Sequence, residues 1–192
     1  MAHRGRACLY IFSGLPGAGK TSLAQKLARS VGAAYLRIDT IEQGLRDLCG
    51  TQVQGEGYRL AYRIAADNLQ LGVSVVADSC NPIELTRNEW MVVATDCAVD
   101  YLNIEVHCSD AIEHRRRIET RTSTVVGLKL PTWQEVVDRE FDVWTTQPIR
   151  IDTAGRTESE SFVELSASIN IPAEAQESGM PPLADRLPDP HQ

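Results

Sequence analysis

Short apolar runs alternate with longer amphipathic ones along this chain. "CLYIF" (8–12) predicts a buried strand, and "GKTSLAQKLARSVG" (19–32) a helix with Leu23, Leu27 and Val31 on one stripe, stopped by Gly32. "AAYLRID" (33–39) predicts a second strand, followed by a short helix through "TIEQGLRDLCG" (40–50). "EGYRLAYRIAADNLQLG" (56–72) predicts a longer helix that leads into "VSVVAD" (73–78), an apolar β-branched run of the fully buried kind. "NPIELTRNEWMVVATDCA" (81–98) predicts a helix with Asn81 as N-cap and Pro82 at its first position. "YLNIEVHC" (101–108) alternates as a strand, and "SDAIEHRRRIETR" (109–121) predicts a helix capped by Ser109. "PTWQEVVDREFDVW" (131–144) opens another helix at Pro131, on which Val137, Phe141 and Trp144 share a core-facing spacing. "IRID" (149–152) and an amphipathic helix around "ESFVELSASI" (160–169) complete an order of βαβ units, and hence an α/β fold with a parallel sheet.

Composition narrows this picture. A chain of 192 residues suits one well-buried domain, read as residues 1–171. From Pro172 onward five of the nine prolines gather with few large apolar residues, which predicts a disordered, acidic tail over 172–192. The formal charge of -7 argues against indiscriminate nucleic-acid binding. Of nineteen basic residues only Lys20, Lys26 and Lys129 are lysine. Arginine grips phosphate oxygens in a bidentate fork, although genome composition accounts equally well for such usage. Cys8, Cys49, Cys80, Cys97 and Cys108 are odd in number and mostly inside apolar runs, as expected of core residues in a reducing cytoplasm. Neither a signal peptide nor a membrane span is expected, because the first apolar stretch runs straight into glycines.

Those glycines carry the strongest chemical signal. "GLPGAGKT" (14–21) satisfies G-x-x-x-x-G-K-[ST], and it follows a strand and opens a helix. In that setting the backbone N–H groups of Gly14, Leu15, Pro16, Gly17, Ala18, Gly19, Lys20, Thr21 and Ser22, proline excepted, converge on phosphate oxygens at a helix N-terminus. Lys20 would reach the β- and γ-phosphates of ATP and Thr21 would bind Mg2+.

On these residues the chain resembles the P-loop kinases of the nucleoside-monophosphate-kinase type. More narrowly it is similar to small bacterial AAA-family ATPases and zeta-toxin-like predicted kinases, over roughly residues 8 to 153. Chloramphenicol phosphotransferase, gluconate kinase, adenylylsulfate kinase and the kinase half of polynucleotide kinase look similar. The resemblance implies a three-layer P-loop NTPase sandwich: a five-stranded parallel sheet in the order 2-3-1-4-5 flanked by helices, with an arginine-bearing lid, here about 109–130. It also implies phosphoryl transfer from ATP.

Further charged positions fall where such a reaction needs them. Asp39 lies at the expected end of the second strand, where ligands of open α/β sheets bind, and a carboxylate there could take the proton of an attacking hydroxyl. The resemblance implies that role, and capping of the next helix is the alternative. Relatives place an arginine three residues beyond this aspartate, where this chain has Glu42; of the neighbours Arg37 and Arg46, Arg46 is the preferred substrate contact. Asp78 ends a Walker B-like strand and would hold magnesium, or merely cap. Ser79, Asn81 and Arg87 follow it in the segment that lines the acceptor pocket of the resembled kinases. Arg117 and Arg121 stand one helical turn apart and could clamp the transferring phosphoryl group, ahead of Arg115 and Arg116; Glu113 pairing with Arg117 or Arg116 on a solvated helix is the alternative. "TSTVVGLKLP" (122–131) would be the mobile part of the lid, with Gly127 as hinge. By resemblance, Asp152 and Thr153 lie near the adenine.

The expected function is therefore an ATP-dependent kinase acting on a hydroxyl of a small molecule or nucleotide, as a cytoplasmic monomer or homodimer. Catalysis would rest on Lys20, Asp39, Arg117 and Arg121, with Asp39, Arg46, Asp78 and Asn81 facing the substrate. An ATPase or nucleotide switch without an acceptor, and a polynucleotide 5′-hydroxyl kinase, are the alternatives.

Overall fold

The computed structural model describes residues 6–50 and 52–170; the tail expected over 172–192 lies outside them. Strands β1 (Cys8–Ser13), β2 (Ala34–Arg37), β3 (Val75–Asp78), β4 (Asp100–His107) and β5 (Ile149–Asp152) form one parallel sheet in the order β2-β3-β1-β4-β5. The helices are α1 (Lys20–Val31), α2 (Ile38–Cys49), α3 (Glu56–Gln70), α4 (Glu84–Asp96), α5 (Ala111–Thr120), α6 (Trp133–Val137) and α7 (Glu158–Ser168).

The central position of β1 explains its unbroken apolar sequence. It pairs with β3 on one side and β4 on the other, so both its faces are covered and Leu9, Ile11 and Phe12 are fully buried. Phe12 belongs to a core with Leu23 and Leu27 of α1 and Phe162 and Leu165 of α7. Leu9 and Ile11 pack on the opposite face with Ala61, Leu69 and Trp90 of α3 and α4. Each large apolar side chain so buried contributes about 1.5–3 kcal/mol.

Tertiary contacts redraw several expected boundaries. β2 stops at Arg37, whose register partner is Asp78, and Ile38 turns inward to become buried at the start of α2. Asp39 therefore occupies the first turn of α2, where a carboxylate suits the positive end of the helix dipole, and does not extend the strand. Helix α5 is capped by Asp110, not Ser109; its carboxylate accepts from the N–H groups of Ile112 and Glu113.

Helix α4 begins at Glu84 with Ile83 as N-cap, so Asn81 does not cap it. Asn81 instead adopts a left-handed backbone (φ 43°), and its side chain donates to the Phe12 carbonyl at 2.9 Å. The open N–H of Glu84 is satisfied by Asp142 Oδ2 at 2.7 Å, fifty-eight residues downstream. That long-range tie also ends α6 early: the expected helix to Trp144 stops at Val137, because the following residues are drawn across to α4.

Arg87 is the centre of this junction. Only 2% exposed, it donates from Nε to Asn81 O (2.9 Å), from Nη1 to Asp142 O (3.0 Å) and from Nη2 to Pro82 O (3.1 Å). Its Cζ lies 4.7 Å from the Phe141 ring centre and 4.2 Å from that of Trp144. The guanidinium thus braces the junction between the start of α4 and the segment 141–144. Arg87→Met should lower stability by about 3 kcal/mol, because the Asn81 and Asp142 carbonyls lose the guanidinium donor and that of Pro82 keeps only the Asp142 N–H. A thermal melt should fall by roughly 6–12 °C, and an unchanged melting temperature would show the brace to be dispensable.

Candidate active site

The loop between β1 and α1 is shaped by glycine backbone. Gly14, Gly17 and Gly19 have φ of 137°, 80° and 95°, and Gly14 N donates to Cys80 O at 3.0 Å. A Cβ on Gly14 would sit 2.0 Å from the Val106 carbonyl oxygen, and one on Gly17 would sit 2.6 Å from Ile118 Cδ1. Gly14→Ala should therefore distort the loop at a cost of roughly 2–3 kcal/mol and weaken binding of a fluorescent ATP analogue at least ~10-fold. Retained affinity in that titration would count against the loop as the nucleotide cradle.

Lys20 lies within this ring of backbone, 7% exposed, and its Nζ donates to Leu15 O at 2.9 Å. An ammonium carries three donors, so two remain for phosphate oxygens. Two elements grip the loop from outside. His114 Nε2 donates to Pro16 O at 2.8 Å, and Thr153 Oγ1 is 2.9 Å from Ala18 O. His114 belongs to no motif in the sequence; its signal is the helical spacing that puts it on one face of α5 with Arg117 and Ile118.

Arg117 belongs to this side. Its Nη1 donates to Thr153 Oγ1 (2.7 Å), and its Nη2 to Thr153 O (2.8 Å) and Glu113 Oε1 (2.7 Å). Glu113 in turn accepts from Gly155 N at 2.8 Å, and that bond together with the Arg117 pair holds its carboxyl below the usual range. Beside these groups opens a cavity of about 240 Å³, lined among others by Gly17, Gly19, Arg117, Thr153, Arg156 and Ser161. Just before Thr153, Asp152 Oδ1 accepts from the N–H groups of Ser109 and Ala154.

Arg121 goes elsewhere. Helix α5 ends at Thr120 and Arg121 is its C-cap in an extended conformation (ψ 149°), so it does not continue the helical stripe of Arg117. Burial depresses the pKa of its guanidinium, the charges of Asp39 and Cys80 oppose that, and Arg37 adds to it. The two arginines expected as one clamp therefore stand on different sides of the loop.

On the second side Asp78 is buried at the end of β3, and its Oδ2 accepts from Tyr35 OH at 2.6 Å. Burial, then the Asp78 charge, drives the Tyr35 phenol far above its ordinary pKa, so it stays a donor. Arg37 Nη1 donates to Thr124 Oγ1 at 2.8 Å, Nη2 is 3.6 Å from Asp39 Oδ2, and Nε is 4.0 Å from Asp78 Oδ2. Asp39 is half exposed. The loop after α5 lies over this cluster: besides Thr124, Gly127 approaches α2 so closely that a Cβ would come 2.9 Å from Gln43 Nε2. Arg46 pairs with Glu42 at 3.1 Å along its own helix, whereas Arg37, at the strand end, joins the cluster. Arg37 was the nearer arginine in sequence, two positions before Asp39.

Residues 9–139 match the family of AAA domains designated AAA_33. The chain belongs to this family. Solved structures share the fold of this AAA domain at low identity. The Mycobacterium tuberculosis APS kinase in complex with AMPPNP and APS is 19% identical, with a TM-score of 0.63, covering 86% of this chain and 98% of its own. A gluconokinase from Sinorhizobium meliloti 1021 is 16% identical (TM-score 0.60, covering 84% and 90%). Chaetomium thermophilum Kti12 in complex with ADP-AlF3 is 18% identical (TM-score 0.60, covering 85% and 98%). No curated protein matches the sequence significantly. The fold of this AAA domain is that of the P-loop kinases, in the strand order the resemblance implied.

The donor set of the AAA domain fits a magnesium–nucleotide pair. Among the described residues no group of three or more His, Cys, Asp or Glu side chains could hold a metal by itself. One hydroxyl, Thr21, and one carboxylate, Asp78, suit an ion that takes most of its ligands from water and substrate phosphates. No helix among the described residues is long and apolar enough to cross a membrane.

Proposed function

We propose that this AAA domain is an ATP-dependent phosphotransferase that moves the γ-phosphoryl group onto a hydroxyl of a small molecule or nucleotide. The observation that carries the reading is the two-sided site. One side of the glycine loop has the cavity at Arg117 and Thr153, and the other has a separate polar cluster of Asp39, Asp78, Arg37 and Arg121 beneath the lid loop. Hydrolysis by water alone requires no such second side. The APS kinase neighbour, captured with AMPPNP and APS, supports a donor and an acceptor on this fold.

In this reading residues 14–22 and Lys20 hold the triphosphate, with Arg117 and Thr153 walling the nucleoside end. Thr21 and Asp78 would hold Mg2+, which when bound neutralises charge on the β- and γ-phosphates. Asp39 accepts the proton of the attacking hydroxyl, and Arg121 faces the transfer region from the lid. Positioning and charge neutralisation supply most of the rate. ATP turnover measured with and without a library of hydroxyl compounds is the test. Acceptor-dependent ADP release with a phosphorylated product is expected; hydrolysis at full rate without any acceptor would favour the ATPase or switch reading.

A further inference from the structure

Two guanidinium groups on the acceptor side have polar edges that nothing satisfies. Arg37 Nε and Arg121 Nε are both buried and lack a hydrogen-bond partner. Buried donors of charged groups are almost always paired, and leaving one unpaired is costly. The neighbouring carboxylates do not meet this need. Asp78 Oδ2 is 4.0 Å from Arg37 Nε and already accepts from Tyr35, and Asp39 Oδ2 stands 3.6 Å from Arg37 Nη2. Both distances exceed a normal hydrogen bond. Arg37 reaches the segment that carries Arg121: its Nη1 donates to Thr124 Oγ1, three residues beyond Arg121, at 2.8 Å. Like charges brought together with open donors suit a bound anion, and the Nε–Nη edge of arginine matches the spacing of two oxygens on one oxyanion.

We propose that Arg37 and Arg121 form an oxyanion seat, so that the acceptor carries a phosphate, sulfate or carboxylate group in addition to the hydroxyl that is phosphorylated. The proposal rests on the kinase reading for the word acceptor, but the seat itself is a binding property. Arg37 comes from the end of β2 and Arg121 from the end of α5, so the seat spans the fixed sheet and the lid. Thr124, bonded to Arg37 Nη1, couples the lid loop to the same guanidinium.

The test is calorimetric titration of sulfate, inorganic phosphate and acetate into full-length protein saturated with Mg-AMPPNP, at ionic strength matched with chloride. Saturation keeps the anions out of the glycine loop. Binding of at least one anion is expected, and the comparison of sulfate and phosphate with acetate identifies tetrahedral or planar oxyanions. Arg37→Met and Arg121→Met should each weaken it at least ~10-fold while leaving AMPPNP affinity within about threefold. Arg37→Lys and Arg121→Lys keep the charge without the Nε edge and should also lose most of the binding, which covers the case of a methionine variant that does not fold. No anion binding, or binding unchanged in the variants, would overturn the proposal. Binding to the Mg-ADP form but not the Mg-AMPPNP form would also overturn it, by showing that the pair holds the γ-phosphoryl group. Acceptor screening separates the two readings: neutral hydroxyl compounds phosphorylated as well as their anionic analogues would sink the seat and leave the kinase. Acceptor-independent hydrolysis would sink the kinase, while the titration would still report on the seat.

Discussion

Lys20→Ala should yield a folded protein whose ATP-dependent turnover is lower by about 10²–10³-fold or more, the usual consequence of removing one preorganised donor from a developing negative charge. The structure gives the reason. The ammonium is buried in a ring of backbone and satisfied there by a single carbonyl, that of Leu15 at 2.9 Å. Holding a charge in that place costs stability, so the alanine variant should melt at the same temperature as the parent or higher. Steady-state kinetics beside a thermal melt checks both halves. A variant that keeps more than about a tenth of the parental kcat would remove Lys20 from the catalytic group.

Asp39→Asn should separate binding from transfer. An amide cannot take a proton from an attacking hydroxyl, so kcat should fall by about 10²–10⁴-fold. ATP affinity should stay within about threefold, because Asp39 sits on α2 beside Arg37, apart from the glycine loop. Equilibrium titration with an ATP analogue and acceptor-dependent turnover read the two effects separately. ATP affinity lost along with activity would contradict the role of base and point to a carboxylate that shapes the nucleotide site.

The elements legible in the sequence were those decided by local pattern. β1 and α1 are flanked by their own signals, an unbroken apolar run and a glycine loop, and each lies where the pattern placed it. The elements that shifted are those whose ends depend on distant residues. The first turn of α4 is satisfied by Asp142, and the end of α6 follows from the pull of Arg87 on Phe141 and Trp144. Neither contact leaves a periodic trace, because the partners are fifty or more residues apart.

The same division runs through the site. Lys20 and the glycines were readable because their chemistry needs fixed offsets within eight residues. Arg117 and Arg121 looked like one clamp because helical spacing puts i and i+4 on one face. That inference holds only while the helix continues, and it ends at Thr120. Arg37 became a site residue only when parallel pairing set it against Asp78 and the lid loop brought Thr124 to its guanidinium.

By itself the sequence determined the order of strands and helices and the glycine loop between β1 and α1, since apolar periodicity and glycine offsets act over a few residues. Only the tertiary structure decided which arginine lies on which side of that loop, because the direction of a long side chain is set by what packs around its base and receives its end.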